Sequence, residues 1–75
     1  MIFLPVCATM QQSEDGVYQI SRSPKPEGGE YIYRAWHRPT NTELGRVTVA
    51  DEPGERAAAI VHCRAACETD AGSRA

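Results

Sequence analysis

What the chain lacks narrows its identity first. No apolar run approaches the roughly 20 residues needed to span a bilayer, so no membrane partner is expected. A basic excess is also missing. Eight basic residues stand against ten acidic ones, for a formal net charge of −2, and a general nucleic-acid binder carries a clear positive surplus. No glycine-rich loop precedes a helix, because Gly28-Gly29 leads into a strand, which removes the usual phosphate cradle. The cysteine count is odd (Cys7, Cys63, Cys67), so a fold stapled by disulfides would leave one thiol over. Length is short too. Seventy-five residues make one domain, which buries only about 60% of the surface its unfolded chain exposes. That argues against a deep substrate cleft.

The opening Met1-Ile-Phe-Leu-Pro-Val6 begins like a signal peptide. It has no basic lead, however, and its apolar run is shorter than the usual span of about 7–15 residues. Pro5 and Val6 precede Cys7 where a lipid-attachment site needs small residues. A cytoplasmic location is the expectation. Met10 is an alternative start. Residues 1–16 show no period and read as a loose leader; the first ten are a leader or an added strand, and Gln11 to Gly16 is polar and loop-like.

What is present is a hairpin feeding one helix. Val17-Tyr-Gln-Ile20 is a short strand candidate, bounded by Gly16 and Ser21-Arg-Ser-Pro24. Residues 23–29 hold two prolines and two glycines, which makes them a surface loop and a candidate contact element. An aromatic strand follows from Glu30 to His37, then a polar turn over Arg38–Thr42, then a β-branched strand from Gly45 to Val49. On the aromatic strand, period-2 alternation separates Tyr31, Tyr33 and Ala35 from Ile32, Arg34 and Trp36. Neither set is purely apolar. Burying the tyrosines leaves the arginines and Trp36 outside; burying Ile32 and Trp36 turns the tyrosines out. The alternation favours the first. On the next strand Val47 and Val49 point in, Arg46 and Thr48 out.

The expected helix starts at Asp51 as N-cap, with Glu52 and Glu55 at the positive dipole end and Pro53 tolerated in the first turn. Its inner stripe is Ala57, Ile60, Cys63 and Cys67, flanked by Ala59 and Ala66. Glu55, Ala58, His62 and Ala65 face water. Gly72 is the expected stop, and the tail after Asp70 is expected to fray. The predicted architecture is therefore α+β, a single β-β-β-α domain: a three-stranded antiparallel sheet covered by one C-terminal helix.

Chemistry-bearing constellations are few. Cys63 and Cys67 lie on one helix face and read most simply as small buried hydrophobes. The alternatives are a metal shared with His62 or His37, and a disulfide to Cys7. Cys67 with His37 is the one Cys/His pairing between the helix and a central strand, but the negative helix end raises a thiol's pKa rather than activating it. Asp51 and Glu52 are explained by capping. No catalytic residue, metal or cofactor is expected. The sharper signal is the arginine and aromatic mixture. Arg34, Trp36, Arg38 and Arg46 are placed to share one sheet face, with Lys25 on the neighbouring loop. Arginine and tryptophan give large contact area with a polar tip, as binding anchors do; the same set could stack on bases and meet phosphates.

Three runs carry a resemblance: Pro26-Glu-Gly-Gly-Glu-Tyr-Ile-Tyr33, Leu44-Gly-Arg-Val-Thr-Val49 and Asp51-Glu-Pro-Gly-Glu-Arg-Ala-Ala-Ala-Ile60. Together they resemble the layout of small phage-encoded anti-CRISPR proteins, some of which have a Pro/Gly-rich lead-in, a hairpin and an acid-Pro-Gly-Ala helix start. The likeness covers residues 24–68. It implies a non-enzymatic inhibitor that docks on a host protein or ribonucleoprotein complex of the CRISPR surveillance kind. Acidic members of that group imitate DNA; at −2 this chain departs from them. A second resemblance, to the sheet-plus-helix of phage-integrase arm-binding domains, implies a DNA reader using Arg34, Trp36, Arg38 and Arg46.

Overall fold

The computed structural model describes residues 1–24 and 28–75. Among the described residues five strands and one helix follow in chain order: β1 (Phe3–Cys7), β2 (Met10–Ser13), β3 (Tyr18–Arg22), β4 (Glu30–His37), β5 (Thr42–Ala50) and α1 (Pro53–Arg74). The strands form an antiparallel meander in sequence order, β1-β2-β3-β4-β5. The α+β class and the three expected strands are present. The sheet has five strands, not three, because residues 3–13 add a hairpin at its edge.

That hairpin gave no sequence signal for a physical reason. α1 packs on β3, β4 and β5, so only those strands need an apolar face. β1 and β2 lie largely outside the helix's cover: of β1 only Phe3 packs against the core, beside Arg64, and Met10-Gln-Gln-Ser13 is only half-buried up to Ser13. β1 is an edge strand, which is where Pro5 is tolerated, and the pairing slips between Pro5 and Cys7. The turn into β3 is held by Ser13. Its buried hydroxyl accepts the Tyr18 N–H at 3.0 Å and donates to Asp15 Oδ1 at 2.6 Å. Gly16 completes that turn at φ 74°, a left-handed position that suits glycine.

The core lies between the sheet and the helix. Tyr18, Ile20, Tyr31, Tyr33, Ala35 and Val49 meet Ala59, Cys63 and Cys67. Burial of Tyr31, Tyr33 and Ala35 thus follows the first alternation pattern. The helix offers small residues, so it lies close: a Cβ at Gly45 would meet the Ala66 Cβ at 3.5 Å. Ala57 is not in the stripe and is exposed. It stands six residues before Cys63, roughly 240° round a helix that turns about 100° per residue. Ala59 takes the place instead, one i, i+4 step before Cys63.

The helix ends also differ from expectation. Asp51 is not the cap. α1 begins at Pro53, Glu52 occupies the N-cap position in extended conformation, and no side chain caps the first turn. Proline pushes the residue before it out of the helical region, so the boundary falls at Glu52 and Asp51 lies one residue too early. Its carboxylate accepts a hydrogen bond from Arg56 Nη1 at 3.2 Å. Gly72 does not stop the helix, which runs to Arg74. The i, i+4 bond from Arg74 Nε to Asp70 Oδ2 at 2.6 Å ties that last turn together.

Candidate functional site

Cross-strand register decides which candidate residues meet. Directly opposed residues of an antiparallel sheet share a face. Leu4, Gln12, Gln19, Trp36 and Glu43 form one such row across all five strands, and Ser21, Arg34 and Arg46 form part of the next. Both rows lie on the face that α1 leaves open.

Glu43 reaches this face through a β-bulge. Ala35 pairs with Gly45, but Trp36 pairs with Glu43, so Leu44 is extra. A one-residue insertion turns the side chains beyond it to the other side. Without it Glu43 would point toward the helix. With it, Glu43 sits among the arginines. Arg34 Nε lies 3.2 Å from Glu43 Oε1 and Arg46 Nη2 lies 3.1 Å from the same oxygen. Arg46 also reaches Oε2 at 3.3 Å. Arg34 and Arg46 are directly opposed, and like charges there repel; the shared carboxylate relieves that.

Trp36 is half-buried, and its Nε1 donates to Ser21 Oγ at 3.0 Å. The indole is therefore fixed as a platform beside Arg34 and Glu43. Beyond it at the sheet edge, Ile2, Leu4 and Val6 are each more than half exposed.

Three of the predicted residues, Arg34, Trp36 and Arg46, thus come together. Arg38 does not join them. It lies past the end of β4 and donates from Nη1 to the Gly16 carbonyl at 3.3 Å. Lys25 lies outside the described residues. Sequence reasoning missed Glu43, because the single-residue bulge at Leu44 falls ahead of the β-branched run that marks the strand and leaves no sequence signal of its own. It also missed Arg22, which lies over the Tyr31 ring on the other side of the sheet.

The Cys/His pairing is closed to substrate. Cys63 and Cys67 are fully buried, and burial pushes both thiols up to about 11. Such thiols are protonated at neutral pH and make poor nucleophiles. The His37 ring packs against Tyr18 at 5.4 Å between centroids, with Nδ1 2.6 Å from Thr40 Oγ1. All three cysteines are free. Cys7 is exposed, and its hydrogen bonding with Thr9 pulls its thiol below the ordinary value. Among the described residues, no three His, Cys, Asp or Glu side chains are gathered as a metal site would need, and no helix is long and apolar enough to cross a membrane.

No protein-family model matches the chain, and neither a curated protein nor a solved structure does.

Proposed function

We propose that this protein is a small non-enzymatic interaction module that docks on a partner protein through its open sheet face. The observation that supports the reading is the cluster of Arg34, Trp36 and Arg46 around Glu43, on the side of the sheet that the helix leaves uncovered. A fixed indole beside two arginines, with exposed aliphatic residues further along the same face at the sheet edge, has the composition of an interface anchor. The Glu43 pairs are partly exposed and worth at most about 1 kcal/mol each. An acidic group on a partner can therefore replace Glu43 at little cost. The layout resemblance makes a CRISPR-type ribonucleoprotein the first partner to test, with inhibition of that host defence complex in the bacterial cytoplasm as the biological role.

Protein binding is favoured over duplex DNA by Glu43. A carboxylate at the centre of the arginine cluster repels phosphates, and the net charge of −2 supplies no compensating field.

The test is direct binding to purified surveillance complex, with Trp36→Ala, Arg34→Ala and Arg46→Ala beside the wild type. At least one of these substitutions should cost about 2 kcal/mol or more, roughly 30-fold in affinity. Duplex DNA should be measured in parallel at about 50 and 200 mM salt, the range over which phosphate-driven binding collapses. Submicromolar, salt-sensitive DNA binding would replace this reading with the DNA-reader alternative.

A further inference from the structure

The opposite side of the sheet holds a second feature. α1 covers β3 to β5, while the β1–β2 hairpin extends beyond it. Pro5, Gln11, Ile20 and Ala35 are matched in register, so the hairpin's inner side continues the face on which the helix lies. Between the hairpin and the first turns of α1 runs a groove of about 460 Å³, within the size range of small-molecule sites.

Its chemistry is one-sided. Pro5, Ala57 and Ile60 contribute apolar surface, Arg22 and Arg56 contribute cations, and no acidic residue lines it among the described residues. Both guanidiniums gather at one ring. Arg22 Cζ lies 4.6 Å from the Tyr31 centroid and Arg56 Cζ lies 5.9 Å from it. Two like charges beside one ring raise each other's energy. Arg56 has a carboxylate partner in Asp51, at 3.2 Å. For Arg22 the described residues form no ion pair, and its Nε is buried without a hydrogen-bond partner. A guanidinium N–H in that state is costly and is ordinarily met by an acceptor.

Guanidiniums grip carboxylates and phosphates bidentately. Tyr33 also lines the groove. Burial raises its phenol pKa, an effect partly offset by Arg22 and Arg56. Its hydroxyl thus keeps its proton and remains a donor.

We propose that this groove binds a small organic anion, its carboxylate or phosphate head held by Arg22 and Arg56 and its apolar body lying along Pro5, Ala57 and Ile60. The site is on the other side of the sheet from the Arg34–Trp36–Arg46 cluster, so it is independent of the docking function proposed above.

The experiment is an NMR titration of ¹⁵N-labelled protein, reading the arginine Nε–H resonances. Phenyl phosphate and benzoate are the anionic probes, benzamide is the neutral one, and inorganic phosphate tests the head alone. Phenyl phosphate or benzoate should produce saturable shifts at Arg22 and Arg56, with a Kd near or below about 1 mM. The better of the two identifies the preferred head. Benzamide should produce none, and inorganic phosphate should bind more weakly than phenyl phosphate. Arg22→Gln and, separately, Arg56→Gln should each weaken binding at least about tenfold. Their amide spectra confirm that they fold, and Arg74→Gln serves as the distant control. Shifts that never saturate, that appear equally at Arg38 and Arg74, or that benzamide reproduces would overturn the proposal. So would unchanged affinity in both folded variants.

Discussion

Serine and alanine at the two buried cysteines test whether they act as core residues. Cys63 and Cys67 are fully buried, on the helix stripe that meets the tyrosines of β4. Alanine keeps a small apolar shape and loses a sulfur, a group comparable to one methylene, so the cost is about 1 kcal/mol. Serine places a hydroxyl in the same site. A buried hydroxyl without a partner costs about 1–3 kcal/mol. A helical serine recovers part of this by bonding the carbonyl four residues back. Serine should still be the more damaging substitution at each site. In a domain of this size each 1 kcal/mol shifts Tm by about 4–8 °C, so urea and thermal unfolding resolve the difference. A Cys7→Ala background keeps the exposed thiol out of the measurement. If serine proved as stable as alanine, or if both substitutions released near-stoichiometric zinc, the core reading would fail.

Alkaline pH probes the same burial. Both thiols rise from 9.0 to about 11, mainly through burial, with neighbouring negative charge adding to the rise at Cys67. The folded state therefore keeps protons that the unfolded state has lost. The contribution is complete below pH 9 and drains away as pH climbs toward 11. Stability should fall across that window, and the fall should be shallower in the double alanine variant.

Three further outcomes are expected from unfolding measurements. Gly45→Ala should be neutral or stabilising by up to about 1 kcal/mol, because its Cβ meets Ala66 at an ordinary contact distance; Gly45→Val should cost about 1–3 kcal/mol by overpacking the helix. Asp51→Ala should cost less than about 1 kcal/mol, the worth of an exposed ion pair, since Asp51 bonds Arg56 rather than the helix amides; a loss near 2 kcal/mol would restore it as a cap. Hydrogen bonds from Arg74 and Tyr18 hold the Asp70 carboxyl below its ordinary 3.8. Its contribution is present above that value and lost as pH falls through the depressed one, so Asp70→Asn should flatten the acid limb of a Tm-versus-pH curve.

Local patterning was enough for the parts of the fold that bury an apolar face. Alternation in Glu30–His37 selected Tyr31, Tyr33 and Ala35 as the core side, and the valines of β5 agreed with it. The helix and its cysteine stripe were legible because a small-residue face at i, i+4 spacing needs a sheet to lie on. The shared face of Arg34, Trp36 and Arg46 followed from the same alternation. Each of these readings uses neighbours a few residues apart, where backbone periodicity alone fixes direction.

Tertiary structure decided what depends on distant partners. β1 and β2 carry no alternation, since the helix backbone does not lie over them; they become strands by pairing, β1 to β2 and β2 to β3. The bulge at Leu44 places Glu43 between two arginines, and only the pairing of β5 with β4 reveals it. Arg22 and Arg56 are 34 residues apart in sequence and meet at Tyr31 only when α1 folds back across the sheet. Sequence determined which faces are apolar, because that is a local property of the chain. The assembled sheet and helix determined which charges share a face and which guanidiniums, Arg22 among them, are left without a carboxylate among the described residues, because electrostatic neighbourhoods are set by distance in space.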